Sequence, residues 1–99
     1  MMEDRGNNQT TLKEALKAML EHYKLKGKLN QSRIRHQWEE MMGPSIANYT
    51  RDIKLYNGKL FIIIDSAPLR QELSYGKEKI KRLLNEQLGE EAIQEVIIR

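Results

Sequence analysis

Cysteine is absent from this 99-residue sequence, which excludes disulfide bonds, a thiolate nucleophile and a cysteine-based zinc site. The two histidines, His22 and His36, are too few to indicate a metal site on their own. The longest apolar run, residues 60–64, is far shorter than the roughly 20 residues that a membrane helix needs. The N-terminus is polar and lacks the hydrophobic stretch of a secretory signal, so the expected location is the cytoplasm.

Motifs that carry catalytic or nucleotide-binding chemistry are also missing. No glycine-rich phosphate loop occurs, and no serine lies in a nucleophile-elbow context. His36 lies one helical turn before Glu39 and Glu40, which is typical of an ordinary surface pair. We therefore expect no catalytic residue, no metal and no cofactor, and a binding module is favoured over an enzyme.

Acidic residues are absent from one segment, between His22 and Trp38, in a chain whose formal net charge is only +3. Clustered basic side chains are typical of surfaces that contact phosphate groups. A solvated segment whose lysines serve solubility is the equally simple alternative. The candidate nucleic-acid-binding residues of this segment are Lys24, Lys26, Lys28, Arg33 and Arg35.

Two helices are predicted before the first strand. Residues 1–9 are polar and expected to be disordered, which leaves residues 10–99 as a single domain. A capping box at Thr11 and Glu14 predicts the start of the first helix, and Gly27 predicts its end. The apolar residues of this helix recur at helical spacing: Leu12, Ala15, Leu16, Met19, Leu20 and Tyr23.

The second helix is predicted from Asn30 or Ser32 to Gly43, followed by a short helical turn over residues 44–49. Trp38 shares a helix face with Ile34 and two methionines. This spacing favours a core anchor over an exposed platform for base stacking.

Asn57-Gly58 is the strongest local signal in the chain, because this dipeptide suits a two-residue type I′ hairpin turn. The turn pairs Tyr56 with Lys59 and sets the register of both strands. One hairpin face is then entirely aliphatic and is expected to be core: Ile53, Leu55, Leu60, Ile62 and Ile64. The opposite, mixed face is a candidate partner-binding surface: Lys54, Tyr56, Lys59, Phe61 and Ile63. Alternatively, the apolar residues of the first helix cover this mixed face.

One long helix is predicted over residues 67–88, capped by Ser66 and ended by Gly89. Arg70, Lys77 and Lys81 form a basic stripe beside its apolar face and are further candidates for nucleic-acid binding. A last strand over residues 93–99 is expected to pair in parallel with the second hairpin strand. The predicted fold class is α/β (α+β), with N-terminal helices, a hairpin, a long helix and a three-stranded mixed sheet.

The pattern of core and turn residues over about residues 30–99 resembles the DciA family. It comprises Trp38, Gly43, Ile46-Ala47, Thr50, Asn57-Gly58-Lys59-Leu60, Ser66, Leu69, Gln71-Glu72-Leu73, Leu84-Asn85, Gly89 and Val96-Ile97-Ile98-Arg99. This resemblance implies a KH-like fold and a bacterial protein that delivers or operates the replicative DNA helicase, binding helicase and DNA without ATPase activity of its own. The chain resembles a short form, since many members carry a long basic extension.

The usual KH mode of binding, in which a G-x-x-G loop contacts the nucleic-acid backbone, is not expected, because the sequence contains no G-x-x-G. The leading hypothesis is a non-enzymatic adaptor that binds DNA weakly through its basic residues and docks on the replicative helicase. The alternatives are a protein-interaction module without direct nucleic-acid binding, or an RNA-binding KH-like protein.

Overall fold

The computed structural model describes residues 5–99, with side chains from Gln9 onward. The elements are α1 (Arg5–Met42), α2 (Pro44–Tyr49), β1 (Thr50–Tyr56), β2 (Lys59–Ile64), α3 (Ala67–Ser74), α4 (Lys77–Leu88) and β3 (Glu95–Ile98). The strands form one sheet in the order β1-β2-β3, antiparallel between β1 and β2 and parallel between β2 and β3. The predicted α+β arrangement with a three-stranded mixed sheet is confirmed.

The hairpin register follows the Asn57-Gly58 turn, as predicted. Tyr56 pairs with Lys59, and the pairing continues through Leu55–Leu60 to Ile53–Ile62. Both turn residues have positive φ, 50° at Asn57 and 78° at Gly58, as a type I′ turn requires. The Gly58 carbonyl also accepts a hydrogen bond from the Gln94 N–H at 2.7 Å, which ties the turn to the start of β3.

The core lies between the aliphatic face of the sheet and the helices. Its buried hydrophobic residues are Ile34, Trp38, Ile53, Leu60, Ile62, Ile64, Leu73, Ile80, Leu84, Leu88, Ile93 and Val96. Trp38 is 2% exposed and donates its indole N–H to Thr50 Oγ1 at 2.9 Å, which confirms it as a core anchor. Burying these side chains contributes roughly 1.5–3 kcal/mol for each large aliphatic residue.

The first two predicted helices are one helix, so the predicted break at Gly27 and the predicted start at Thr11 are wrong. A glycine inside a helix costs about 1 kcal/mol relative to alanine, which does not end a helix that packing holds on its C-terminal side. Helix α1 begins at Arg5, inside the segment expected to be disordered; residues 1–4 lie outside the described residues, and the domain bounds stay a prediction.

The single helix predicted over residues 67–88 is divided into α3 and α4. The Tyr75 and Gly76 N–H groups bond three residues back, to the Glu72 and Leu73 carbonyls, and this tight turn ends α3. Gly76 has φ −113° and precedes α4. The predicted ends are confirmed: Ser66 Oγ accepts from the Leu69 N–H, and Gly89 follows α4 with φ 76°.

Candidate nucleic-acid and partner interface

Helix α1 lies against the outer edge of β1, and two of its side chains bind backbone groups of that strand. Gln31 Oε1 accepts a hydrogen bond from the Leu55 N–H at 2.8 Å. Arg35 Nε donates to the Ile53 carbonyl at 3.1 Å, and its Nη2 contacts Asp52 Oδ1 at 2.8 Å. Because edge strands otherwise present unpaired N–H and C=O groups, these contacts fix β1 to the helix.

The space between α1 and the hairpin turn forms the hairpin groove, with a volume of about 450 Å³. It is lined by Leu20, Tyr23, Lys24, Gly27, Lys28, Gln31, Leu55, Tyr56 and Asn57. The two tyrosines are 65% and 68% exposed, so their ring faces are accessible. At Gly27 the wall of the groove borders open space, since a Cβ added there would have no heavy atom within 4 Å.

The charged side chains that line the hairpin groove are both lysines. Lys24 contacts Glu21 at 3.8 Å, but both side chains are largely exposed, so this pair is weak. Lys28 is exposed and belongs to no ion pair among the described residues. Arg35 follows along the same side of α1, although its guanidinium is held by Asp52 and the β1 backbone. The groove therefore combines positive charge with aromatic surface.

The other two basic candidates of α1 lie on the opposite side, facing α4. Lys26 Nζ contacts Glu90 Oε1 at 3.1 Å, and Arg33 Nη2 donates to the Gln87 carbonyl at 3.4 Å. The hydrogen bond from Lys26, followed by one from Asn30, lowers the pKa of the Glu90 carboxyl below its ordinary value. These two side chains join α1 to α4 and to the loop that follows α4.

The break between α3 and α4 separates the remaining basic candidates. Arg70 lies on α3 and donates from Nη1 to the Ile64 carbonyl at the end of β2. Lys77 and Lys81 lie on α4, where Lys81 is only 28% exposed and contacts Glu78 at 3.2 Å. The eight predicted nucleic-acid-binding residues thus lie on two sides of α1, on α3 and on α4, and the hairpin groove holds Lys24 and Lys28.

The mixed face of the sheet, predicted to bind a partner, carries no residue of the hydrophobic core. Lys54, Tyr56 and Lys59 are exposed, whereas Phe61 and Ile63 are half-buried. The Arg99 guanidinium lies over the Phe61 ring at 5.1 Å from its centroid, within the range of a cation–π contact.

The alternative in which the first helix covers this mixed face is wrong. Leu16, Met19, Leu20 and Tyr23 are 47–65% exposed. Only the C-terminal half of α1, from Asn30 onward, contributes buried residues, and those pack on the aliphatic face. We call the mixed surface formed by Lys54, Tyr56, Lys59, Phe61 and Ile63 the open face.

Sequence reasoning missed that Tyr23 and Tyr56 line the same groove, because the spacing predicts Tyr23 as part of an apolar helix face. These residues are far apart in the chain, and α1 brings them together by crossing beside β1. Gln31 was also missed. Its position four residues before Arg35, on a helix with Ile34 and Trp38 in the core, is the sequence signal that places both side chains along one edge.

Among the described residues there is no group of three or more side chains that could hold a metal ion. None of the helices in the described part of the chain has the length and apolar content of a membrane span.

The fold defines a small α+β domain in which one long helix packs along the edge strand of a three-stranded mixed sheet and extends past it. The family model described as "Dna[CI] antecedent, DciA" matches residues 11–98. The chain therefore belongs to the DciA family, and this membership supports a helicase-loader-like role in DNA replication. No curated protein and no solved structure matches the chain.

Proposed function

We propose that this chain is a non-enzymatic adaptor of the replicative DNA helicase that holds single-stranded DNA in the hairpin groove. One observation carries the DNA site: two exposed tyrosines, Tyr23 and Tyr56, lie beside two lysines, Lys24 and Lys28, in one groove. Membership of the DciA family supports the helicase as the partner.

The groove suits a single strand better than a duplex. Stacking of a base on an aromatic ring contributes about 1–3 kcal/mol per base and needs an unpaired base whose face is free. Lysine ammonium groups supply phosphate contacts without reading the sequence, so binding would be weak, unspecific and sensitive to salt. RNA offers the same bases and phosphates, and comparison of the two is part of the test.

The charge contribution is tested by fluorescence anisotropy of a labelled oligo-dT, titrated at several salt concentrations. We expect Lys24→Glu with Lys28→Glu to weaken binding strongly. Losing two phosphate contacts on a single strand should also reduce the slope of log K against log salt by about 1.4. The matched control is Lys79→Glu with Arg82→Glu, which reverses two exposed charges on α4.

The aromatic contribution is tested with Tyr23→Ala and Tyr56→Ala, each against the corresponding phenylalanine variant. Loss of one stacked base should weaken binding about 5- to 150-fold, while phenylalanine retains the ring and most of the affinity. Equal affinity of the alanine and phenylalanine variants would contradict stacking. Tighter binding of oligo-rU than of oligo-dT would favour the RNA alternative.

A protein-docking role is the second candidate, favoured by the apolar centre of the open face. Phe61 and Ile63 are only half-buried although they lie on the central strand of the sheet. We expect Phe61→Glu to fold, since Phe61 is outside the hydrophobic core, and to lose capture of the cognate replicative helicase in a pull-down. Retention of capture by folded Phe61→Glu protein would exclude this face as the docking surface.

A further inference from the structure

The N-terminal half of α1 extends beyond the rest of the domain. Every residue whose side chain is described from Gln9 to Lys26 is exposed, and the molecule measures 65 × 22 × 19 Å. This projecting half carries five large apolar side chains that are 47–65% exposed: Leu12, Leu16, Met19, Leu20 and Tyr23. We call these five residues the α1 stripe.

The α1 stripe continues the face by which the same helix packs on the sheet. At about 100° per residue, Leu12, Leu16 and Tyr23 lie in line with Ile34 and Trp38. Those last two are 0% and 2% exposed, whereas the stripe residues are 47–65% exposed. The projecting half thus presents a core-type surface about 17 Å long, from Leu12 to Tyr23, at the rise of an α-helix.

The border of the α1 stripe is basic. Lys13, Lys17 and Lys24 follow one edge of it at spacings of four and seven residues. Glu14 and Glu21 lie farther round the helix, beyond these lysines, and no acidic residue borders the stripe among residues 9–28. The opposite border carries Ala15 and Lys26.

A second copy of the chain fits this border poorly. Antiparallel pairing of two α1 stripes would place the lysine edge of one helix against the same lysine edge of the other. Like charges across a helix–helix contact are destabilising, and such border residues determine which helices pair. A partner with carboxylates along its apolar face would meet the lysines with opposite charge.

We propose that the α1 stripe docks an amphipathic helix of a partner protein whose apolar face is bordered by aspartate or glutamate. This interaction goes beyond the proposed function: it uses Leu12, Leu16 and Met19, outside the hairpin groove, and does not require DNA. Tyr23 and Leu20, which line both surfaces, place the bound helix next to the groove.

The probe is a synthetic helical peptide of about three heptads with leucine at the a and d positions and glutamate at e and g. A sister peptide carries lysine at e and g. Each is titrated into the full-length ¹⁵N-labelled chain and followed by NMR. We expect the glutamate peptide to bind at least about tenfold more tightly, to shift resonances of residues 12–24, and to weaken as salt rises.

The variants separate the stripe from the rest of the helix. Leu16→Gln with Met19→Gln, which adds no charge beside the hairpin groove, should abolish peptide binding and leave oligo-dT binding unchanged, which distinguishes this proposal from the DNA site. Leu25→Gln is the matched control, because Leu25 is 67% exposed on the opposite face of α1. Lys13→Glu with Lys17→Glu should reverse the preference toward the lysine peptide.

Three results would overturn the proposal. The first is no binding of either peptide, and the second is equal affinity for both. The third is a dimer of the chain in sedimentation velocity that Leu16→Gln with Met19→Gln disperses, which would show that a second copy occupies the stripe.

Discussion

Asn85 shows how one buried amide can replace strand pairing. Its Nδ2 donates to the Ile93 carbonyl and its Oδ1 accepts from the Ile93 N–H, both at 2.9 Å, and the side chain is only 6% exposed. Both backbone polar groups of Ile93 are thereby satisfied inside the core. The Asn85 side chain therefore holds the segment between α4 and β3 at its buried residue, Ile93.

Asn85→Leu should destabilise the domain by about 2 kcal/mol or more, because two buried backbone groups would lose their partners and each such loss costs about 1–3 kcal/mol. Urea unfolding followed by circular dichroism measures the change. Gln87→Leu, which removes an exposed amide from the same helix, is the control and should leave the midpoint nearly unchanged. Equal effects of the two substitutions would contradict this role for Asn85.

Glu90 joins the loop after α4 to α1, since its two carboxylate oxygens contact Lys26 at 3.1 Å and Asn30 at 3.4 Å. These contacts lower the pKa of Glu90 in the folded state. The stability they contribute is therefore fully present above the ordinary glutamate pKa of about 4.3 and is lost as pH falls through the lowered folded value.

Comparison of the wild type with Glu90→Gln across this pH range tests the linkage. The wild type should unfold at higher urea concentration above about pH 5, and the difference should shrink as the carboxyl becomes protonated. A difference that stays constant down to pH values where Glu90 is neutral would show that the charge of this carboxylate does not contribute.

At the scale of elements, the helices show where sequence reasoning succeeds and where it fails. The hairpin register was predictable because Asn57-Gly58 restricts the backbone strongly and locally. The continuity of α1 through Gly27 could not be predicted. The glycine costs about 1 kcal/mol of helix propensity, and the packing of Ile34 and Trp38 outweighs this cost. The hairpin groove could not be predicted either, because its two tyrosines line one groove only through the packing of α1 beside β1.

Gly27→Ala should stabilise the protein by about 0.5–1 kcal/mol, because Gly27 lies in the interior of α1 and a Cβ there meets nothing within 4 Å. Thermal or urea unfolding measures the gain. Gly58→Ala is the opposing case: φ is +78° and the added Cβ would lie 3.1 Å from Gln94 Cδ, so it should destabilise. A loss of stability in Gly27→Ala would indicate that α1 ends at this glycine.

For the whole molecule, the decisive feature is that the sheet has helices on only one face while α1 extends past it. The C-terminal half of α1 belongs to the core, and its N-terminal half carries the α1 stripe. The hairpin groove lies where the two halves meet. One helix thus connects the structural part of the domain with two candidate binding surfaces.

Small-angle X-ray scattering of the monomer tests this shape. The radius of gyration is 18.6 Å over Cα atoms, whereas a compact chain of this length would have about 13 Å. We expect a measured value close to the larger figure. A value near the smaller one would mean that the N-terminal half folds back on the domain.

The contacts of Gln31 and Arg35 with β1 also determine how α1 is aligned along the sheet. These two residues are one helical turn apart, about 6 Å, and their partners Leu55 and Ile53 are two strand residues apart, about 6.8 Å. The spacing of the two helix residues therefore nearly equals the spacing of their two strand partners, and the helix and the strand run in opposite directions. Sliding the helix by one turn would bring Gly27 opposite Leu55 and leave its N–H without an acceptor. The helix therefore has one alignment on the strand, and this alignment sets how far its N-terminal half reaches.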